Sequence, residues 1–217
     1  MQRVPLSLGV LVSGSGSNLQ ALLDAIADGR LHAEIRVVIS NKPDVYALTR
    51  AQARGVPIAV IPHGSSASRE AFEAALLDTL HAHGVEWVAL AGFMRVLTGY
   101  FLRGMNYQVV NVHPALLPSF PGTHGPRQAL EKGVRLTGAT VHLVDEGVDT
   151  GPILVQGAVP VLEEDTEATL HQRIQQVEHH IFPRALQLIA EGRVQRQGGR
   201  LRLDLSERPL PPPLIFP

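Results

Sequence analysis

The apolar residues of this chain fall into short continuous runs, separated by segments in which apolar positions recur every three or four residues. Short continuous runs are typical of strands buried on both faces of a sheet. The first such run lies at 6–12, and further strand-like segments rich in apolar residues lie at 34–40, 58–62, 87–92 and 107–113. The segments between them, such as those beginning near Ser17 and Ser68, have the spacing of amphipathic helices. This alternation predicts an α/β fold with a doubly wound, mostly parallel twisted sheet and helices on both faces.

The second half of the chain follows a different order. Two strand-like segments at 137–145 and 152–161 come one after the other without a helix, which predicts an antiparallel C-terminal extension of the sheet. A long helix is expected over about Glu167 to Glu191, with a distortion near Pro183. We see no internal repeat or boundary, so we expect one domain over 1–205 and a proline-rich tail over 206–217.

Composition removes several classes of function. The 217 residues include no cysteine, which excludes thiol catalysis, disulfides and cysteine metal sites. The net charge of −1 gives no general reason to bind nucleic acid or anionic lipid, and no apolar stretch reaches membrane-spanning length. We therefore expect a cytoplasmic protein with small-molecule substrates, no nucleic-acid or membrane partner, and a monomeric or weakly dimeric state.

The turn between the first strand and the first helix reads "GSGSNLQAL". Gly14 and Gly16 allow backbone N–H groups to approach an anion, and Ser17 and Asn18 lie at the amino end of the helix. The turn differs from a dinucleotide fingerprint because Leu19 replaces the third glycine and no acid ends the second strand, which disfavours a nicotinamide cofactor. We favour a site for the phosphate of a small substrate; the alternative is a tight turn whose serines cap the helix.

Asn111 and His113 are the clearest candidates for catalysis. Alternation along a strand places both on one face, at the carboxyl end where doubly wound sheets bind ligands. An amide can stabilise an oxyanion and an imidazole can carry a proton near neutral pH, so the pair suits acyl transfer at a carbonyl. No nucleophile motif is present, which favours direct transfer between two substrates. The proline-rich segment 114–128 is expected to be an irregular loop.

A third group is needed to orient the imidazole. The segment "VDEGVDTGPI" supplies Asp145, Glu146 and Asp149, and the pattern leaves open which of them reaches His113. The alternative is a solvated acidic turn and a histidine with a capping role. The ten histidines include no H-x-x-x-H pair with a carboxylate, so we expect no metal site.

Four segments together resemble a known family, phosphoribosylglycinamide formyltransferase. They are "GSGSNLQAL", "LAGFMRVL", "NVHPALLPSFPG" and "VDTGPIL", which occur in order between about Leu6 and Arg193. The last two segments are shared with a broader group of formyl-folate enzymes, whereas the glycine turn distinguishes the phosphoribosyl substrate. The resemblance implies transfer of a formyl group from 10-formyltetrahydrofolate, used as co-substrate, to phosphoribosylglycinamide without a metal.

The resemblance also implies roles for individual residues. The catalytic residues would be Asn111, His113 and Asp149. The residues that bind phosphoribosylglycinamide would be Gly16, Ser17, Asn18, Gln175 and Glu178. The folate-binding residues would be Arg69, Met94, Arg95, Val96, Leu97, Val144, Asp145, Glu146 and Val148. Periodicity alone places Glu178 beside an apolar stripe, as a solvated side chain, and the resemblance reverses that interpretation.

The sequence departs from some members of the family at three places. Ser15 and Gln175 replace an asparagine and a lysine near the phosphate, and Pro126 replaces a histidine, which leaves His124 as a candidate helper. Three other functions stay open. We expect a formyl-folate hydrolase to carry an extra N-terminal regulatory domain and an initiator-tRNA formylase to carry a C-terminal nucleic-acid domain. A non-catalytic anion-binding module would bind a phosphate ligand without turnover.

Overall fold

The computed structural model describes residues 4–197 and 200–204. The strands are β1 (Leu6–Val12), β2 (Ala33–Ser40), β3 (Ile58–Val60), β4 (Trp87–Leu90), β5 (Val109–His113), β6 (Leu136–Leu143), β7 (Ile153–Pro160), β8 (Val194–Gln197) and β9 (Arg200–Leu203). The helices are α1 (Ser17–Ala27), α2 (Tyr46–Ala53), α3 (Arg69–Ala82), α4 (Gly99–Gly104), α5 (Gly125–Lys132) and α6 (Glu167–Ala190). The proline-rich segment 206–217 lies outside the described residues.

Seven strands form one sheet in the order β3-β2-β1-β4-β5-β6-β7. The pairs from β3 through β5 are parallel, whereas β5 with β6 and β6 with β7 are antiparallel. The predicted fold class, a mostly parallel doubly wound sheet with an antiparallel extension, is confirmed. Since the strand order reverses direction at β1 and β4, the carboxyl ends of these strands border the crevice where such folds bind ligands.

Two apolar clusters cover the two faces of the sheet, which explains why the central strands are continuously apolar. One cluster includes Leu19 of α1 and Phe182 of α6, and the other includes Phe72 of α3 and Phe101 of α4. Helix α6 continues past the buried Pro183 to Ala190, so the expected distortion does not end the helix. Within the described residues, no helix is both long and apolar enough to cross a bilayer.

Three elements were not expected from the sequence. Helix α5 occupies part of the segment predicted to be an irregular loop, because Pro126 lies in its first turn, where a proline costs no helical hydrogen bond. Strands β8 and β9 pair antiparallel as a separate two-stranded sheet, which the sequence analysis did not predict. Strand β5 begins at Val109 rather than at Tyr107, which has φ of 57°.

Candidate active site

The candidate catalytic side chains lie where β5 and β6 pair. In the antiparallel register Asn111 is opposite His142, and His113 is opposite Thr140. The hydroxyl of Thr140 donates to the Ala115 carbonyl at 2.7 Å and holds the chain that leaves β5. Opposite residues in such a pair share a face of the sheet. The strand pairing therefore brings together the predicted Asn111 and His113 with a histidine that sequence reasoning missed.

His113 is 4% exposed and has an oxygen acceptor at each ring nitrogen. Its Nδ1 is 3.3 Å from Oδ2 of Asp149, and its Nε2 is 2.8 Å from the Phe120 carbonyl. Because a carbonyl oxygen only accepts hydrogen bonds, we assign a proton to Nε2. The charged imidazole would have a donor for each acceptor, so the surroundings of His113 match its protonated form.

Asp149 lies in the 144–151 loop and contacts the loop that follows β5. Its backbone is left-handed, with φ of 55°. Its Oδ2 accepts from the Gly122 N–H at 2.8 Å, and its Oδ1 is 3.6 Å from Nε2 of His142. Burial acts to raise the pKa of Asp149, but its contact with His142, the hydrogen bond from the Gly122 N–H and the charge of His113 outweigh it. The net effect lowers the pKa of Asp149, so this carboxylate is ionised at neutral pH.

His142 orients the amide of Asn111. Its Nδ1 is 2.9 Å from the Leu143 carbonyl and therefore carries the proton, which leaves Nε2 to accept from Nδ2 of Asn111 at 3.2 Å. This assignment leaves one N–H and the oxygen of the Asn111 amide for a reacting group. Asn111 is partly exposed whereas His142 is 2% exposed. The buried imidazole therefore fixes the position of an amide that remains accessible.

The structure distinguishes the three acidic residues of the 144–151 loop. Asp145 accepts from the Gly147 N–H and the Thr150 hydroxyl within its own turn. Glu146 lies 3.4 Å from Nη1 of Arg103. Of the three, Asp149 is the one beside His113.

His124 is placed at the start of α5, away from this cluster. Its side chain is 68% exposed and its Nδ1 is 3.7 Å from Glu167. No hydrogen bond or ion pair among the described residues joins His124 to Asn111, His113 or Asp149. The helper role considered for His124 gains no geometric support.

The glycine turn and α6 form a second part of the site. Gly16 precedes α1 with φ of 72°, and no side chain caps the helix, so the serine-capping alternative is not observed. Nδ2 of Asn18 donates to Oε2 of Glu178 at 2.9 Å, and Nε2 of Gln175 donates to the Ser17 hydroxyl at 2.9 Å. The structure thus brings together all five residues predicted to bind the amine substrate, with uncapped N–H groups that can receive an anion.

Glu178 is buried, contrary to the interpretation from periodicity alone. It is 4% exposed, because α6 packs directly on α1. Burial raises the pKa of Glu178, and the hydrogen bond from Asn18 and the charge of His171 only partly oppose this. A buried carboxylate with one hydrogen-bond donor costs stability unless another group pairs with it.

The predicted folate-binding residues lie around α3 and α4. Nη2 of Arg69 donates to the Val96 carbonyl at 2.5 Å, and Nε of Arg69 is 3.7 Å from the buried Glu73. Met94 and Val96 are 67% and 54% exposed, whereas Leu97 is buried in the core.

The remaining folate candidates divide in the same way between exposed and packed side chains. Arg95 lies over the Phe72 ring, Val148 is exposed, and Val144 packs on the core cluster that contains Leu97. The structure therefore brings the 94–97 and 144–148 segments together and leaves their apolar side chains Met94, Val96 and Val148 open to solvent. Among the described residues, no three His, Asp or Glu side chains are grouped as a metal site.

Comparison with known proteins agrees with this geometry. A family model described as formyl transferase matches residues 7–186. The chain belongs to the formyl transferase family. The match includes the glycine turn, the β5–β6 cluster and the loop that carries Asp149, so the resemblance noted from the sequence is confirmed at the level of the family.

Relatives in this family carry related names. The chain is 52% identical over 187 residues to the trifunctional purine biosynthetic protein adenosine-3 of Drosophila melanogaster, and it spans 14% of that protein's length. It is 38% identical over 204 residues to the phosphoribosylglycinamide formyltransferase of Escherichia coli, covering 94% of this chain and 96% of that protein.

Solved structures extend the comparison to the fold. Glycinamide ribonucleotide transformylase 1 from Symbiobacterium toebii superposes with a TM-score of 0.91 at 48% identity, covering 93% of this chain and 95% of that chain. A formyltetrahydrofolate deformylase from Pseudomonas syringae superposes with a TM-score of 0.84 at 28% identity, covering 92% of this chain and 66% of that chain. The transformylase is thus the more similar of these two structures in sequence and in fold.

Proposed function

We propose that this chain transfers the formyl group of 10-formyltetrahydrofolate to the amine of 5'-phosphoribosylglycinamide, a step of purine biosynthesis. The observation that carries the proposal is the presence, in one formyl transferase fold, of the Asn111–His113–Asp149 cluster and of an uncapped glycine turn beside Glu178. The cluster suits chemistry at a carbonyl, and the turn suits a phosphorylated amine.

The proposed reaction is a direct displacement at the formyl carbon. The amine nitrogen bonds to this carbon, the bond from the carbon to the folate nitrogen breaks, and a proton passes from the amine to the leaving nitrogen. The N–H of Asn111 that His142 does not occupy would donate to the oxyanion that forms in between. Because the substrate amine is the nucleophile and Asn111 supplies only a hydrogen-bond donor, no covalent enzyme intermediate is required.

His113 contributes charge before it contributes a proton. Both of its ring nitrogens are held by protein oxygens, those of Asp149 and Phe120, so its first effect is to place positive charge beside the oxyanion. Direct donation from Nε2 requires the Phe120 contact to open. Asp149, whose lowered pKa keeps it ionised, stabilises the charged imidazole throughout.

The two substrates would occupy opposite sides of this cluster. Glu178 would accept from the glycinamide end, and Gly16, Ser17, Asn18 and Gln175 would surround its phosphate. The formyl-folate would contact Arg69, Met94, Arg95, Val96, Leu97, Val144, Asp145, Glu146 and Val148. The 46% exposed side chain of Arg69 keeps donors for the tail carboxylates, and exposed Met94, Val96 and Val148 suit a flat ring.

Hydrolysis of the same formyl group is the second candidate, favoured by the likeness to the deformylase structure. The deciding experiment is a steady-state assay of tetrahydrofolate release with both substrates, beside a control that lacks the amine. Release that needs the amine supports transfer, whereas equal release without it supports hydrolysis. Binding of a phosphate ligand with release in neither arm would identify a non-catalytic module. The cytoplasmic location, the domain limit at residue 205 and the monomeric or weakly dimeric state stay predictions.

A further inference from the structure

A cavity of about 470 Å³ opens beside the amino end of α1, between that helix and residues of α2 and α6. Ser17 of the glycine turn, Arg50 of α2 and His179 of α6 all line it. Its other lining residues are Gln20, Ala21, Asp24, Arg30 and His180, and Arg54 pairs with the carboxylate of Asp24. Two buried polar atoms near the turn, Oδ1 of Asn18 and Nε2 of His179, have no hydrogen-bond partner among the described residues. Buried polar atoms are normally paired, and the amide oxygen of Asn18 can only accept, so it indicates a donor group on a bound ligand rather than the anion itself.

Arg50 is held in place by neutral groups. Its Nε donates to the Ser15 carbonyl at 2.9 Å, and its Nη1 donates to Oε1 of Gln20 at 3.0 Å. Its guanidinium carbon lies 4.6 Å from the centroid of the Tyr46 ring. A guanidinium has five N–H donors, and these contacts use two of them. Arg50 is therefore a fixed cation with donors left over at the edge of the cavity.

The charge of Arg50 is not neutralised, unlike that of its neighbours. Arg54 pairs with Asp24 at 2.7 Å and Arg30 pairs with Asp28 at 3.0 Å. No carboxylate of the described residues comes within 4.0 Å of the Arg50 guanidinium. The uncapped end of α1 adds partial positive charge to the same place. An anion in the cavity would meet both.

The α6 side of the cavity presents His179 and His180, neither of which is a permanent cation as Arg50 is. Gln175, which reaches Ser17 from α6, is neutral. Burial lowers the pKa of His179, as do the charges of His180 and Arg50, so His179 is neutral at pH 7 in the ligand-free protein. Arg30 also lines the cavity but pairs with Asp28, so a phosphate ester bound at the turn would meet one permanent positive charge that no carboxylate of the described residues neutralises, that of Arg50.

Helix α2 is docked on the glycine turn, which fixes the position of Arg50 relative to the anion site. The Ala47 N–H donates to the Gly14 carbonyl at 3.2 Å. A Cβ at Gly16 would lie 2.7 Å from Cα of Ala47, so the two backbones are in direct contact. Arg50 lies about one helical turn after Ala47.

We propose that Arg50 is the residue that binds the substrate phosphate by charge and thereby selects a phosphorylated amine, with the N–H groups of the glycine turn completing the site. The planar guanidinium can donate two parallel hydrogen bonds to one phosphate, which a neutral Gln175 cannot replace. The inference rests on the proposed function for the identity of the amine, but the anion site can be tested without turnover.

The binding test is a calorimetric titration of the full chain with ribose 5-phosphate. Arg50→Met should raise the dissociation constant about 10- to 100-fold, the loss of one charge-assisted contact. The control is Arg36→Met on β2, whose charge pairs with Glu34 at 3.1 Å and which does not line the cavity; it should change the constant less than about twofold. Arg50→Gln repeats the test with a polar side chain in case Arg50→Met does not fold. Equal affinities for wild type and either neutral Arg50 variant would overturn the inference.

The kinetic test separates this inference from the proposed function. With both substrates, Arg50→Met should raise KM for phosphoribosylglycinamide by the same factor and change kcat less than about threefold, since uniform binding is lost. The dephosphorylated amine should react equally with variant and wild type; a similar loss for that amine would overturn the role of Arg50. If wild type binds ribose 5-phosphate through Arg50 yet transfers no formyl group, the proposed function fails and the inference stands.

Discussion

Among single residues, Asp149 does most to connect the site, because its two oxygens contact β5, β6 and the 114–122 loop. The sequence motif implied that an acid would reach His113, but it could not show that the same acid also faces His142. His142 escaped sequence reasoning because its contact depends on the register of β5 and β6. Alternation along β6 puts His142 and Thr140 on one face, yet a shift of one residue would reverse that face.

The amide of Asn111 is expected to be essential for turnover. Asn111→Ala should lower kcat by about 10²–10³-fold, the usual effect of losing one oxyanion donor. Ribose 5-phosphate should bind as in wild type, since no hydrogen bond among the described residues joins the Asn111 side chain to the glycine turn or to α2. The measurement is a steady-state assay combined with calorimetry. A variant that keeps more than about a third of wild-type kcat would remove Asn111 from the mechanism.

Asp149→Asn tests the choice among three acids. It keeps the shape and removes the charge, so kcat at pH 7 should fall by at least about 10²-fold. Two matched controls lie in the same loop: Asp145→Asn and Glu146→Gln, whose side chains contact Thr150 and Arg103 rather than His113, should cost only a few-fold. If Asp145→Asn were the damaging change and Asp149→Asn mild, the assignment of Asp149 would be wrong.

The lowered pKa of Asp149 also fixes the sign of its effect on stability. A carboxyl with a folded pKa below its ordinary value of 3.8 contributes stability that is fully present above about pH 3.8. This contribution is lost as pH falls through the lower folded pKa. Urea unfolding should therefore show Asp149→Asn less stable than wild type at pH 7, with the gap closing in acid. A gap that widened in acid would contradict this linkage.

For the secondary-structure elements, the strength of the apolar pattern decided what could be predicted. Strand β1 is buried along its whole length, and β2 and β4 each carry a buried apolar stretch, so the sheet was visible in the sequence. Helix α5 has only eight residues and begins with a glycine and a proline, which hides it. Strands β8 and β9 have four residues each and lie outside the main sheet, so they carry no run of comparable strength.

The contact between α2 and the glycine turn explains why Gly16 cannot be replaced by a larger residue. In Gly16→Ala the new Cβ would lie 2.6 Å from Cβ of Ala47, in addition to the left-handed backbone penalty. The free energy of unfolding should fall by about 2–4 kcal/mol, the sum of backbone strain and overpacking. Ribose 5-phosphate binding should weaken as well, because the turn must move.

Gly29→Ala is the matched control for this substitution. Gly29 has nearly the same φ, 71°, but a Cβ there would meet no atom within 4 Å. It should cost about 1 kcal/mol, the backbone penalty alone, and leave ligand binding unchanged. Thermal or urea unfolding of both variants would measure the difference. Equal losses for the two variants would show that the contact with α2 adds nothing.

Across the whole chain, the site depends on contacts between residues that are far apart in sequence. Asn18 and Glu178 are separated by 160 positions, and Ser17 and Gln175 by 158. The glycine turn was visible as an anion-binding pattern, but no periodicity could place a glutamate of α6 against it. Periodicity assigns Glu178 to the edge of an apolar stripe, and only the packing of α6 on α1 decides that this edge is buried. The resemblance to a family supplied what the physical pattern could not.

Glu178 should therefore show a conflict between stability and function. Burial disfavours the charged form of Glu178 and raises its pKa. The contribution of the neutral carboxyl to folding stability is therefore fully present below its ordinary pKa of 4.5. This contribution is lost as pH rises through the higher folded pKa, which means that the ionised carboxylate destabilises the protein at pH 7. Glu178→Gln keeps the acceptor for Asn18 and removes the charge. It should raise the free energy of unfolding at pH 7 by on the order of 1 kcal/mol.

The gain from Glu178→Gln should shrink toward zero in urea unfolding below about pH 4.5, where the wild-type carboxyl is also neutral. Glu164→Gln, at an exposed position before α6, is the control and should change stability by less than about 0.5 kcal/mol. At the same time Glu178→Gln should lower kcat/KM for the amine at least about tenfold, since a charged acceptor is lost. A variant that is less stable than wild type at pH 7 would mean that the pair with Asn18 outweighs the cost of burial. A variant that is more stable and fully active would instead place Glu178 outside the amine site, because removing its charge would then have cost no activity.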